Sequence, residues 1–138
     1  VASRGLGDVY KRQIFVTRCH PANIGFSTAA GCLEIVTDTD DYGLAVKLEA
    51  PGKKIIAPIA AGILSELEIA QAKRMPLDCP EELVLEDACM IALDGERELR
   101  GQRGDTLTFT VTKNGPWRVQ AKKALEEAVR RNLFGVTE

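Results

Sequence analysis

The chain has 138 residues, 45% of them hydrophobic and 28% charged, with a formal net charge of −2. That is the length of one ordinary soluble domain with a real core. The charge argues against an electrostatic nucleic-acid binder, and no apolar run approaches the roughly 18 residues of a membrane span.

The chain starts at Val1, and Arg4 to Gln13 is polar and aperiodic. Residues 1–13 read as a non-native or disordered leader, set apart from a folded unit over 14–138. Ile14 to Thr17 is β-branched and aromatic, as a strand requires. Pro21 and Asn23 interrupt it. The segment from Asn23 to Gly31, NIGFSTAAG, is rich in small residues, and Cys32 to Val36 reads as a second strand. A polar turn over Thr37 to Asp41 leads to a third strand, Tyr42 to Leu48, which Pro51-Gly52 ends. A fourth, Lys54 to Ala57, stops at Pro58.

Ile63 to Met75 fits both strand and helix spacing; strand is preferred because its neighbours are short strands. Pro76 and Pro80 bracket a loop. Leu83 to Leu85 and Cys89 to Leu93 read as strands, with Leu99 on a returning arm. Leu107, Phe109 and Val111 alternate with threonines, as in a half-buried strand. Asn114-Gly115-Pro116 is a turn before a short strand, Trp117 to Val119. From about 121 to 134 the period changes: Ala121, Ala124, Leu125, Ala128, Val129 and Leu133 share one helical face. Glu126 and Glu127 lie four residues before Arg130 and Arg131, and Gly135 is placed to cap the end. The expected fold is mostly β, a sandwich or barrel with one C-terminal helix that packs on it or on something outside this chain.

Few residues point to chemistry. Asp94-Gly95-Glu96 follows an apolar run. If Gly95 keeps the backbone extended, Asp94 and Glu96 project to one side, which suits general-base work or magnesium binding. The plain alternative is an Asp-Gly hairpin turn with solvated acids. In NIGFSTAAG, backbone N–H groups with Gly25, Ser27, Thr28 and Gly31 could cradle a phosphate. It is not a Walker motif, lacking the glycine-lysine end, and tight packing of small residues is the plainer reading. His20, the single histidine, adjoins Cys19, but sequence neighbours on a strand face opposite ways, so a nucleophile pair is not expected. Asp38, Asp40 and Asp41 do not have the spacing of a calcium loop. Arg18 is a lone cation, and Trp117 reads as core or interface. The four cysteines have no knuckle or redox spacing and are expected as free thiols in a cytoplasmic protein.

Four stretches taken in order carry a resemblance: RCHPANIGFSTAAG (18–31), DYGLAVKLEAPGKKIIAPIAAGILSELEI (41–69), IALDGERELRGQRGDTLTFTVTKNGP (91–116) and the closing helix ending in RRNLF (130–134). This succession resembles the C-terminal domain of the ATP-NAD kinase family, in its ATP-NAD/AcoX branch. The resemblance implies a β-sandwich of the NAD kinase and diacylglycerol kinase fold that forms the acceptor side of a cleft. It implies an N-terminal α/β partner domain whose Gly-Gly-Asp-Gly motif holds ATP, with Mg2+, and a last segment that returns to that domain. The implied reaction moves the γ-phosphoryl group of ATP to the ribose 2′-hydroxyl of NAD. This sequence contains no Gly-Gly-Asp-Gly, so the activity would belong to a larger protein. Related lipid kinases carry an Asp-Gly-Glu near the cleft, where an acid accepts the acceptor hydroxyl's proton. That adds a catalytic role for Asp94 or Glu96, with Gly95 beside the nucleotide. The AcoX branch is named for acetoin catabolism and need not phosphorylate NAD. Two other expectations stand beside the enzyme: a nucleotide-sensing module without catalysis, and a domain for homo-oligomerisation. Leu125, Val129, Leu133 and Phe134 are expected to dock on the absent domain.

Overall fold

A computed structural model describes residues 2–3, 12–93, 96–116 and 119–135. The chain is mostly β, with antiparallel sheets and a C-terminal helix. In order the elements are β1 (Ala2–Ser3), β2 (Arg12–Val16), α1 (Ser27–Leu33), β3 (Tyr42–Ala60), β4 (Ile63–Pro76), β5 (Glu81–Val84), β6 (Cys89–Leu93), β7 (Arg97–Gly101), β8 (Thr106–Phe109) and α2 (Ala121–Arg130). They form three small sheets, ordered β2-β3-β4, β1-β6-β7 and β5-β8. Of the segment set aside as a leader, Arg12 and Gln13 open β2, Ala2 and Ser3 pair with β6, and residues 4–11 lie outside the described residues.

The sheet β2-β3-β4 is the centre. Strand alternation puts Ile14, Val16, Leu44, Val46 and Leu48 on one face, and α1 packs there. Ala29 and Ala30 of α1 are fully buried in this core, with Cys19, Val36, Ala57 and Ile69. On the opposite face Phe15 stacks on Phe109 of β8, tying the β5-β8 pair to the central sheet. The central sheet thus lies between one short helix and one two-stranded ribbon.

Several expectations are corrected. Cys32 and Leu33 are helical, and Val36 makes only an isolated bridge to Cys19 instead of continuing a strand. The reason is close packing: a Cβ on Gly31 would stand 2.3 Å from the His20 carbonyl carbon, so the small-residue run lies directly against backbone. Pro51-Gly52 does not end the third strand. The two expected strands are one 19-residue strand, β3, interrupted by an irregularity in which Leu48 and Lys53 both pair with Ile69. Gly52 permits this, because a Cβ there would meet the Ile69 carbonyl at 2.6 Å.

Ile63 to Met75 is the expected strand, here β4, and its pairing with β3 on both sides of the irregularity decides the helix–strand ambiguity. β5 ends at Val84, with Leu85 buried just beyond it. β8 ends at Phe109, and Val111 makes an isolated parallel bridge to Leu77. Trp117 lies outside the described residues, and Val119 is exposed and in no strand.

The C-terminal helix ends at Arg130. Asn132, at φ 55°, stops it, not Gly135. The Asn132 N–H bonds to the Val129 carbonyl and the Leu133 N–H to the Ala128 carbonyl, the paired bonds of a Schellman ending. Asparagine tolerates this left-handed conformation better than most residues. No residue of α2 is buried, and Leu125, Val129, Leu133 and Phe134 are each more than half exposed.

Candidate functional site

The expected site residues fall into two separate places. Gly25, Ser27 and Gly31 belong to the turn and helix on the core face of the central sheet. Gly25 has φ +83° and its N–H bonds to the Ile59 carbonyl on β3. Ser27 Oγ donates to the Ile24 carbonyl at 3.3 Å, and the Thr28 hydroxyl donates to the Asn23 carbonyl. The N–H groups of Thr28 and Ala29 bond to Gly25 and Phe26 within the same turn. These donors are engaged inside the protein, and α1 spans only seven residues. The close approach of Gly31 to His20 makes tight packing the role the geometry displays for that glycine.

Glu96 stands elsewhere, between β6 and β7. Leu93 pairs with Arg97, so Glu96 occupies the connection of a hairpin, exposed, with its N–H on the Leu93 carbonyl at 3.2 Å. The reading of an extended backbone with two acids on one strand face does not hold at Glu96, which lies in the turn. Asp94 and Gly95 lie outside the described residues. The β6-β7 hairpin pairs with β1, whereas α1 packs on β2 and β3, so hairpin and glycine segment are held by different sheets.

The remaining sequence candidates are accounted for locally. Cys19 is buried and its thiol donates to the Glu34 carbonyl at 3.1 Å, while His20 is exposed and its Nδ1 accepts from the Ala22 N–H at 3.0 Å. Burial pushes the Cys19 thiol up, the opposite of what activates a nucleophile. Asp40 caps its own turn, accepting from the Thr37 N–H at 2.8 Å and hydroxyl at 2.7 Å, and these bonds hold its carboxyl below the usual range. Asp41 pairs with Lys113. Among the described residues no three His, Cys, Asp or Glu side chains form a cluster able to hold a metal ion.

Two constellations were not foreseen. At the end of α1, Glu34 accepts from the Tyr42 hydroxyl at 2.8 Å and from Arg74 Nε at 2.9 Å, while the Arg74 guanidinium lies 4.6 Å from the Tyr42 ring centre. Arg74 first, then Tyr42, lowers the Glu34 carboxyl; the same bond raises Tyr42. This triad ties α1 to β3 and β4. The second is a cleft lined by Arg12, Phe26, Leu48, Glu49, Ala50, Glu66, Leu67 and Glu68, where the first residues of β2 and α1 meet the β3 irregularity. The Arg12 guanidinium stacks 4.3 Å from the Phe26 ring centre. The sequence offers no signal for it: Arg12 lies inside the stretch set aside as a leader, and Phe26 and Glu68 are far from it in the chain.

The family model for the Acetoin catabolism protein X C-terminal domain matches residues 1–114, ending before α2. Acetoin catabolism protein X of Cupriavidus necator is 32% identical over 124 residues, covering 88% of this chain and 34% of the relative. The chain thus spans about a third of the curated relative it matches. No solved structure matches. Among the described residues no helix is long and apolar enough to cross a membrane. The match over most of its length places this chain in the Acetoin catabolism protein X C-terminal domain family.

Proposed function

We propose that this chain is the acceptor-side domain of an ATP-dependent phosphotransferase, with NAD as acceptor of the γ-phosphoryl group. The observation that carries the reading is the ordered set of four sequence stretches, now set on a mostly β domain that spans about a third of its relative. In the glycine segment Gly25 N–H bonds to Ile59 on β3 and the Thr28 and Ala29 N–H groups to its own turn, and the described residues include no cluster of metal ligands. The described residues do not form a complete ATP and Mg2+ site, and on this reading that site belongs to an N-terminal α/β domain. The acid that would accept the acceptor hydroxyl's proton is, on this reading, Glu96 or Asp94. Positioning and electrostatics dominate such transfers, so one carboxylate carries weight. The exposed apolar stripe of α2 is the surface that would meet the other domain or a second copy, in a cytoplasmic homo-oligomer.

A second reading has a specific support. The relative's name ties that protein to acetoin catabolism, and the acceptor would then be a small hydroxyl compound in place of NAD. The test is an assay of the gene's complete product with ATP and Mg2+, offering NAD and small hydroxyl compounds in parallel. NADP formation supports the first reading, a phosphorylated small compound the second. ATP-independent, product-free behaviour with every acceptor contradicts both and leaves a nucleotide-sensing or assembly domain.

A further inference from the structure

The connection between β8 and α2 carries a reactive pair. Val111 still bonds to the body: it bridges Leu77, and its carbonyl accepts from the Asp78 N–H at 2.9 Å. Two residues on, the Lys113 ammonium pairs with Asp41. Asn114 and Gly115 follow, both exposed and in no strand or helix. Among the described residues neither finds a hydrogen-bond partner. An asparagine side chain can close a five-membered ring with the next backbone nitrogen. Most asparagines stay intact because a following side chain shields that nitrogen, or a hydrogen bond holds its proton and fixes the backbone. Glycine removes the side chain and opens the backbone angles that the ring needs. A Cβ at Gly115 would meet nothing within 4 Å, so the fold adds no crowding of its own.

The chain has three asparagines, and the other two are shielded. Asn132 precedes Leu133, whose N–H is bonded to the Ala128 carbonyl at 2.9 Å. Asn23 precedes the β-branched Ile24, and its own N–H and carbonyl are tied to His20 and Thr28. We infer that Asn114 is a site of spontaneous deamidation in the folded chain. The Gly115 nitrogen gives its proton to hydroxide and attacks Asn114 Cγ. The bond from Cγ to the side-chain nitrogen breaks, and that nitrogen leaves as ammonia with a proton from water. The succinimide ring then takes up water. Attack at the backbone carbonyl, the more reactive of the two, gives isoaspartate, with the main chain rerouted through Cβ and Cγ. Attack at Cγ gives aspartate. Nothing is oxidised or reduced; water is exchanged for ammonia. Either product sets a new negative charge beside Lys113, where it competes with Asp41 for the ammonium. The step consumes only water and needs no nucleotide.

The experiment incubates the full chain, folded and unfolded in urea, at neutral and mildly alkaline pH. Proteolytic peptides are followed by mass spectrometry with fragmentation that separates isoaspartate from aspartate. Asn114 should convert in the folded chain at nearly the rate of the unfolded one, faster as pH rises, with isoaspartate in excess and with Asn23 and Asn132 intact. Gly115→Ala should slow conversion about tenfold, a barrier higher by about 1.4 kcal/mol. The wild-type chain is decisive by itself, so the test does not depend on a variant that folds. Conversion of Asn23 or Asn132 ahead of Asn114, strong slowing by the fold, or an unchanged rate in a folded Gly115→Ala chain would overturn the inference. So would aspartate formed without isoaspartate, since that product bypasses the ring.

Discussion

Gly31 lies against the backbone of His20 so closely that a Cβ would stand 2.3 Å from the His20 carbonyl carbon and 2.6 Å from its oxygen. The neighbour is main chain just before the Pro21 turn, which cannot swing aside as a flexible side chain would. Gly31→Ala should therefore cost about 2–4 kcal/mol through overpacking and backbone displacement. Gly115→Ala, with nothing within 4 Å, serves as the control and should leave the urea midpoint nearly unchanged. Paired chemical denaturation of the two variants decides it.

The Glu34–Tyr42–Arg74 triad makes a pH prediction. Arg74 and Tyr42 lower the folded-state pKa of Glu34 beneath its unfolded value. A depressed carboxyl contributes stability that is present above the unfolded pKa and is lost as pH falls through the folded one. Stability should therefore decline on acidification below about pH 4.3, the unperturbed glutamate value. Glu34→Gln should flatten that decline while lowering stability at neutral pH. Thermal melts from pH 7 to pH 3 measure both; an unchanged acid limb in the variant would contradict the role given to the triad.

Asn132 ends α2 in a left-handed conformation that costs most side chains about 1–2 kcal/mol. Asn132→Gly should preserve or slightly raise helix content. Asn132→Ala should lower it and fray the last turn, seen as loss of helical circular dichroism near Leu133.

Much of the fold was legible because its signals are local. β6, β8, the β2 core and α2 follow from period and turn chemistry, which need only neighbouring residues. The misreadings share one cause. Cys32 and Leu33 carry strand-like side chains, but the contact of Gly31 with His20 makes that segment a helix. Pro51 and Gly52 carry a break signal, but β4 pairs with β3 on both sides of the break. Tertiary partners override propensity there. The site was less legible for the same reason: Asp94-Gly95-Glu96 is contiguous in sequence and visible there, whereas Arg12, Phe26 and Glu68 meet only after folding.

Glu96 is exposed in its hairpin and supports no core, so its removal separates chemistry from folding. In the gene's complete product, Glu96→Gln should lower turnover at least tenfold, a loss within the range for a general base, with an unchanged melting temperature. Wild-type rates in both Glu96→Gln and Asp94→Asn would remove the acid pair from the mechanism.

The exposed α2 stripe gives the proposed docking of this helix a measurable consequence. Leu125, Val129, Leu133 and Phe134 together expose apolar surface. The isolated chain should bind a hydrophobic dye and gain mass with concentration. Leu133→Ser with Phe134→Ser should reduce both without altering the melt, since neither side chain is buried.

The central proposal is that this domain is the acceptor side of a phosphotransferase with a separate ATP-binding half. Reading the source DNA upstream of Val1 tests it most directly. The expected result is an α/β region carrying a Gly-Gly-Asp-Gly phosphate loop in the same frame. An upstream frame that joins an unrelated domain would contradict it.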